Sequence, residues 1–173
     1  MMISKKMAAA INEQIGNEFG ASLQYVGIAS YFASEGLVEL AARFYTQADE
    51  ERMHAMKFVK YLVDAGATVE IPKIPAPKAG FKSVADAVKL SLEWERTVTD
   101  QVNGLVKLAV GESDYLTQNF LNWFVNEQLE EVSSMDNLYR VVKRAGEDNL
   151  IYVESYLART AGKPVSTQGA PAE

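Results

Sequence analysis

The stretch V-E-I-P-K-I-P-A-P-K-A-G-F, residues 69–81, decides how this chain folds. It holds three of the five prolines, and because proline interrupts helices, the runs on either side can form long unbroken helices. Residues 66–82 can extend roughly 55 Å, at about 3.3 Å per residue, whereas a helix of about 28 residues spans roughly 42 Å. A compact loop is the alternative, but a proline-rich segment favours an extended backbone. We therefore predict a link that crosses the full length of the molecule.

Glycines divide the two proline-free runs, and the helix ends are expected at Gly36, Gly66, Gly111 and Gly146. The predicted helices lie near 5–35, 37–65, 83–110 and 114–145, with a shorter fifth helix near 147–161. Short connections make each pair of long helices an antiparallel hairpin, and the long crossover between helices 2 and 3 joins the hairpins. This all-α four-helix bundle is the ferritin-like arrangement. Residues 1–161 are expected to form the domain, and residues 162–173 a flexible tail.

Four glycines fall inside the predicted helices, at Gly16, Gly20, Gly27 and Gly104. Each costs about 1 kcal/mol relative to alanine in a helix interior. We therefore expect a neighbouring helix to approach closely at these positions.

The composition excludes several classes of protein. The length of 173 residues and 48% hydrophobic content fit one globular domain. No cysteine is present, so a bound metal would need carboxylate, imidazole or amide ligands. The formal charge of −6, from 17 basic and 23 acidic residues, argues against nucleic acid as a partner. The short apolar run before Asn12 is insufficient for a signal peptide or a membrane span, so we expect a cytosolic protein with no membrane partner.

Each long helix carries a stripe of core residues at alternating spacings of four and three, and each stripe has a glutamate near its middle. These glutamates are Glu18, Glu51, Glu95 and Glu131. The stripe of the third helix is Val88, Leu92, Glu95, Thr99, Val102 and Val106, and that of the fourth is Leu121, Phe124, Gln128, Glu131, Met135, Leu138 and Val142. Four carboxylates meeting inside a bundle would repel one another unless they were protonated or bound cations. A metal cluster resolves this conflict.

The only histidine, His54, lies three residues after Glu51 and therefore on the same helical face. Any one buried glutamate or histidine is more often a satisfied structural residue than a ligand. The coincidence of four carboxylates and one imidazole nevertheless favours a metal site, since E-x-x-H is an element of diiron carboxylate bundles. Gln47 and Thr99 are interpreted as polar packing, and the aromatic residues Tyr25, Phe44 and Trp123 as core residues.

Three further acids, Glu50, Glu127 and Glu130, flank the stripes by one helical step and are called the flanking glutamates below. They are interpreted equally well as a solvated face or as functional groups. A second E-x-x-H element, which diiron oxygenases and haem-containing bacterioferritins have on the fourth helix, is missing because Glu130 occupies the position of that histidine.

Over about residues 5–160 the chain closely resembles the non-haem bacterial ferritins. The matching residues are Glu18 and Tyr25, A-D-E-E-R-M-H-A at 48–55, W-E-R at 94–96 and F-V-N-E-Q-L-E-E at 124–131. The resemblance implies that Glu18, Glu51 and His54 bind one iron ion. It implies that Glu51, Glu95 and Glu131 bind a second iron ion, with Gln128 nearby. It also implies a third iron site at the flanking glutamates, redox-active roles for Tyr25 and Trp123, and a hollow shell of about twenty-four chains.

The expected activity is a ferroxidase reaction that oxidises Fe(II) with O2 or H2O2, followed by storage of a ferric mineral. A diiron oxidase without storage and a catalytically silent helical assembly module are the alternatives. Iron access near the start of the fourth helix would involve Glu112, Asp114 and Gln118, although simple loop solvation explains these residues as well. No haem is expected, because Arg52 stands where bacterioferritins have the axial methionine, and Met53 and Met56 are out of register.

Overall fold

The computed structural model describes residues 2–160, and the predicted tail at 162–173 lies outside these described residues. The long helices are α1 (Lys5–Ser34), α2 (Val38–Asp64), α3 (Val84–Gly111) and α4 (Tyr115–Ala145). A 3-10 turn (Glu147–Asn149) precedes the short helix α5 (Leu150–Thr160), so the predicted fifth helix begins three residues later as an α-helix. Helix α1 packs along α2, α3 packs along α4, and residues 65–83 cross between the two pairs. The predicted four-helix bundle with one long crossover is confirmed.

The helix ends follow the expected glycines with one exception. Gly36, Gly66 and Gly146 have φ angles of +76°, +71° and +72°, a left-handed conformation that costs glycine little. Helix α3 does end at Gly111, so the predicted helix end is confirmed there. The exception is that the left-handed residue of this turn is Ser113, with φ of +55°, and not the glycine.

The crossover is seated on one row of α1 that runs Asn12, Gly16, Gly20 and Gln24 at spacings of four. The Asn12 amide brackets one part of the crossover, donating to Thr68 O at 3.0 Å and accepting from Glu70 N at 2.8 Å. The Gln24 amide does the same at Lys78, donating to its O at 3.1 Å and accepting from its N at 2.7 Å.

Gly16 leaves space for the crossover, because a Cβ atom there would lie 2.4 Å from Pro72 Cγ. A Cβ atom on Gly20 would make only ordinary contacts, at 3.7 Å from Ile74 Cγ2 and 3.9 Å from Trp94 Cζ2 of α3. The expected close approach at Gly16 is therefore to the crossover and not to a helix. At Gly104 no neighbouring atom comes within 4 Å of such a Cβ, so the expected approach there was wrong.

Carboxylates from the C-terminal part of the chain cap two of the long helices. Helix α2 has no side-chain cap of its own at Leu37, and Glu154 accepts from Glu39 N at 2.8 Å and from Leu40 N at 3.0 Å. Glu147 likewise accepts from Val84 N and Ala85 N, both at 3.1 Å, at the start of α3. These bonds to otherwise unsatisfied N–H groups fix α5 against the bundle.

The core consists of two apolar clusters separated by a polar layer. One cluster includes Phe32, Phe44 and Met135, and the other includes Ile15 and Phe124. On each long helix the predicted glutamate lies between the residues of the two clusters. On α3 the buried residues continue through Val98, Val102, Leu105 and Ala109, and Val106 of the predicted stripe is half-buried and packs against the same cluster. Among the described residues, no helix is both long and apolar enough to cross a membrane.

Candidate metal centre

The four predicted carboxylates and the imidazole meet in the polar layer. Glu18, Glu51 and Glu95 are fully buried, and Glu131 and His54 are 8% and 3% exposed. One ligand atom from each of Glu18, Glu51 and His54 lies within 4.8 Å of the other two. The same holds for His54, Glu127 and Glu131. The structure therefore brings together side chains from all four long helices at one level of the bundle.

One oxygen of each central carboxylate accepts a hydrogen bond from a neutral side chain. Gln14 Nε2 donates to Glu18 Oε1 at 2.8 Å. Gln47 Nε2 donates both to Glu51 Oε1 at 3.0 Å and to Glu131 Oε2 at 2.7 Å. The Tyr25 hydroxyl, which is buried, donates to Glu95 Oε1. Tyr25 lies in the core as predicted, and its hydroxyl also contacts the carboxylate on α3.

Four other atoms of the centre have no hydrogen-bond partner although they are buried. These atoms are Glu18 Oε2, Glu51 Oε2, Glu95 Oε2 and His54 Nδ1. His54 Nδ1 lies 3.4 Å from Glu51 Oε2, on the side of the ring that faces the carboxylates. Buried polar atoms without partners are rare, because each costs desolvation energy. A cation placed among these oxygen and nitrogen atoms would satisfy them, so the donor set fits a hard or borderline metal ion.

Burial and the charge of neighbouring carboxylates raise the pKa values of Glu18, Glu95 and Glu131. Burial, followed by the charge of Glu51, raises the pKa of Glu18 and of Glu95 well above the usual value. The same two causes raise the pKa of Glu131 to about 7. Burial and then the charge of Glu95 raise the pKa of Tyr25 as well. In the absence of metal the centre is therefore partly protonated, and cation binding must displace protons.

His54 experiences two opposing effects. Burial lowers the pKa of its imidazole, but the adjacent Glu51 carboxylate, with Glu131 and Glu127, raises the pKa more. Its Nε2 atom lies 3.9 Å from Glu127 Oε1, on the side of the ring opposite to Glu51. The ring also packs edge-on against Trp123 and Phe124, with centroid separations of 5.4 and 5.9 Å.

The flanking glutamates differ from one another in position. Glu127 is about a third exposed and approaches His54, as described above. Glu50 is half-buried, and burial raises its pKa, an effect that His54 opposes. Glu130 is exposed. Glu127 is thus the flanking residue that forms a cluster of potential metal ligands with His54 and Glu131.

Other predicted residues occupy supporting positions. Gln128 is buried and accepts from Thr99 Oγ1 at 3.0 Å. Burial and the charges of Glu51 and Glu131 raise the pKa of Glu95, and the Gln128 side chain opposes this increase with a smaller effect. Trp123 is 38% exposed, and Lys57 Nζ lies 3.6 Å from the centroid of its ring. The polar packing expected of Thr99 is therefore observed, whereas Trp123 lies at the surface beside the centre and is not a core residue.

The residues considered for iron access have structural contacts. Glu112 accepts from Ser4 Oγ at 2.7 Å, and Asp114 caps α4 by accepting from Thr117 N at 3.0 Å. Gln118 is half-buried in the first turn of α4. These contacts account for Glu112 and Asp114 without a channel.

Sequence reasoning missed the part that glutamines play in the centre. Gln14 was not singled out, and Gln47 was interpreted only as polar packing. Both residues stand four positions before a central glutamate, in the pattern Q-x-x-x-E at 14–18 and at 47–51. Because residues four apart share a helical face, this repeated pattern could have identified both donors. Arg43 was also missed; its Nη2 donates to Ser134 Oγ at 2.6 Å, and the charges of Glu131 and Glu50 act on it.

The chain was compared with protein families, with curated proteins and with solved structures. The model of the ferritin-like domain family matches residues 8–145. Ferritin BfrB of Mycobacterium tuberculosis is 47% identical over 166 residues, which cover 96% of this chain and 91% of the relative. The bacterial non-heme ferritin of Staphylococcus aureus is 37% identical over 153 residues, which cover 88% of this chain and 92% of the relative.

Among solved structures, the open pore ferritin of the archaeon Archaeoglobus fulgidus superposes with a TM-score of 0.88 at 34% sequence identity. The superposition covers 91% of this chain and 97% of the archaeal chain. These matches agree with the all-α bundle described above. The chain belongs to the ferritin family of iron-storage proteins.

Proposed function

We propose that this protein is a ferroxidase, which oxidises Fe(II) inside each chain before the iron is stored. The observation that carries the proposal is the set of four buried atoms without hydrogen-bond partners, Glu18 Oε2, Glu51 Oε2, Glu95 Oε2 and His54 Nδ1. All four belong to side chains that bind divalent iron readily, and they come from three different helices. Iron is the substrate of this site and leaves it as product.

A pair of iron ions would be held by overlapping sets of ligands. We assign Glu18, Glu51 and His54 to one ion, in keeping with their close approach. We assign Glu51, Glu95 and Glu131 to the other ion, so that Glu51 lies between the two. Gln128 is next to Glu95 and would contact the second ion or its water.

The carboxylate ligands favour the reaction because anionic oxygen ligands stabilise Fe(III) over Fe(II). Each of two ferrous ions loses one electron, and O2 gains two electrons and two protons to leave as H2O2. When H2O2 is the oxidant, it gains two electrons and two protons and leaves as two water molecules. Protons displaced from Glu18, Glu95 and Glu131 by the incoming iron are released at the place where the oxidant needs them.

The flanking glutamates are proposed to bind a third iron ion or to receive ferric ions as they leave. Glu127 supports this role, because it lies beside His54 while remaining about a third exposed. Glu50 and Glu130 extend the acidic surface away from the centre. Iron that leaves the buried pair would therefore meet further carboxylates before it reaches solvent.

Storage requires an enclosed space, and we propose that about twenty-four chains form a closed shell around the mineral. The ferritin relatives support this assembly. A cytosolic location and the lack of haem stay predictions from the sequence.

The test combines molar mass with iron loading. Protein freed of iron would be measured by size-exclusion chromatography with light scattering, and then given ferrous iron in air in successive additions. A large shell that takes up far more iron than its oxidation sites can hold supports the proposal. A small oligomer that oxidises only a pair of ions per chain would indicate an oxidase without storage, and a protein that does not accelerate oxidation would refute the ferroxidase.

A further inference from the structure

In three carboxylates of the candidate metal centre, one oxygen accepts a hydrogen bond, and we call it the held oxygen. The other oxygen accepts none, and we call it the free oxygen. The held atoms are Glu18 Oε1, Glu51 Oε1 and Glu95 Oε1, and the donors are Gln14, Gln47 and Tyr25. The Oε2 atoms of the same three glutamates are buried and have no partner. Donors thus occupy one side of each carboxylate and leave the other side for a ligand.

Gln47 has a special place among these donors. Its single amide nitrogen reaches Glu51 Oε1 at 3.0 Å and Glu131 Oε2 at 2.7 Å, and the two glutamates belong to α2 and α4. A glutamine amide carries two N–H groups, so it can donate to both carboxylates at once. The Gln47 side chain is 7% exposed, which shields these bonds from competing water.

We propose that Gln47 is a positioning residue that sets the separation and orientation of Glu51 and Glu131 for the second metal ion, and that Gln14 orients Glu18 for the first. The inference rests on the proposed diiron function. Glutamine suits this task because it donates hydrogen bonds without charge. A lysine at the same place would cancel part of the negative charge that attracts the cation, and a glutamate would add repulsion.

The alternative is that Gln47 only fills space and satisfies two buried acceptors. Both roles predict that a substitution of Gln47 changes the stability of the protein. They differ in the effect that they predict on the geometry and affinity of the bound metal ion. A positioning residue controls the geometry around the bound ion, and loss of such outer partners typically weakens metal binding about 10- to 100-fold. A space-filling residue would leave the geometry and affinity of the bound ion unchanged.

The experiment titrates the metal-free shell with Co²⁺, whose visible absorption reports the number and geometry of its ligands. Gln47→Met keeps the length of the side chain but removes the donor. The matched control is Gln24→Met, which removes a second buried glutamine whose amide bonds only to Lys78 in the crossover. The titration also uses Gln14→Met.

We expect unmodified protein and Gln24→Met to bind a pair of Co²⁺ ions with the same spectrum. Gln47→Met should bind the second ion, which is assigned to Glu51, Glu95 and Glu131, about 10- to 100-fold less tightly, with a changed spectrum. Gln14→Met should affect the other ion. Identical cobalt titrations for Gln47→Met and Gln24→Met would overturn the positioning role.

A further variant covers the case in which Gln47→Met does not assemble. Gln47→Asn keeps a polar amide but is one methylene shorter, so its nitrogen cannot reach both carboxylates from the same backbone position. It should fold and show the same weakening of the second ion. An unchanged second ion in Gln47→Asn would refute the inference, whereas failure of unmodified protein to bind a pair of Co²⁺ ions would refute the proposed diiron function itself.

Discussion

Metal binding to this protein should release protons, and the contribution of Glu131 can be worked out. Burial and the charge of Glu51 raise the pKa of Glu131 to about 7. A carboxyl group with that pKa holds about 0.9 of a proton at pH 6 and about 0.1 at pH 8. Because a cation binds the deprotonated group, metal binding displaces this proton. The number of protons released from Glu131 should therefore be about 0.8 per chain smaller at pH 8 than at pH 6.

The assay is calorimetric titration of metal-free protein with Zn²⁺, which undergoes no redox reaction, in two buffers of different ionisation enthalpy at each pH. Glu18 and Glu95 also have raised pKa values and release protons. The difference between unmodified protein and Glu131→Gln therefore isolates Glu131. Glu13→Gln, which changes an exposed glutamate of α1 outside the centre, serves as the control and should follow the unmodified protein. The same pH dependence in Glu131→Gln would refute the reasoning.

The same raised pKa gives the sign of a stability effect. The folded protein holds the Glu131 proton more tightly than the unfolded chain, whose carboxyl pKa is near 4.5. This contribution is fully present below about pH 4.5 and is lost as the pH rises through about 7, and it amounts to roughly 3 kcal/mol. Metal-free protein should therefore unfold at lower denaturant concentration at pH 8 than at pH 6, and Glu131→Gln should reduce that difference.

Four further predictions concern iron oxidation, the crossover and haem. Glu51→Ala should abolish the fast phase of ferrous oxidation in stopped-flow absorbance, while Asp49→Ala, an exposed change on the same helix, should keep it. Changing all three flanking glutamates to Gln should leave the first addition of iron fast and slow the later additions; a first addition as slow as that of Glu51→Ala would assign them to the oxidation site. Gly16→Ala should lower the thermal unfolding temperature, because its Cβ would lie 2.4 Å from Pro72 Cγ and such overpacking costs about 1 to 3 kcal/mol, more than the roughly 1 kcal/mol gained in helix propensity. A higher unfolding temperature would contradict this packing. Desalted protein should show no Soret band, since Arg52 replaces the axial methionine of haem-binding relatives, and a persistent band would disprove that prediction.

The bundle could be predicted because its signals recur along the chain. Prolines concentrated at residues 72–77 identified the crossover, and glycines at most helix ends identified the hairpins. Ser113 shows the limit of this reasoning, because a non-glycine residue takes the left-handed conformation only where the surrounding structure requires it. The glycine at position 16 predicts the close approach of a helix, whereas it lies against Pro72 of the crossover. The spacing of glycines shows that a helix face is narrow but not which segment covers it.

The ligands of the centre could be predicted better than their supports. A glutamate in the middle of an apolar stripe is conspicuous. Because each of the four long helices carries one, the sequence predicts that these carboxylates meet in the core. A glutamine in the same stripe is not conspicuous, because an uncharged amide satisfies its hydrogen bonds in many ways. The role of Gln47 depends on Glu131, which lies 84 positions away in sequence. Only the packing of α4 against α2 brings that carboxylate within reach.

The residues that surround the centre compensate for the free energy lost when its carboxylates are buried. Buried carboxylates close to one another destabilise the metal-free fold, and well-packed apolar residues in their place would often be neutral or stabilising. The apolar clusters on either side supply burial energy that offsets this cost and exclude water from the polar layer. The donors to the central carboxylates are a phenol and two amides, so they orient the acids without cancelling their charge. A centre built for stability alone would not leave three buried oxygen atoms without partners beside an imidazole nitrogen in the same state. Cation binding accounts for both the retained charge and the free atoms.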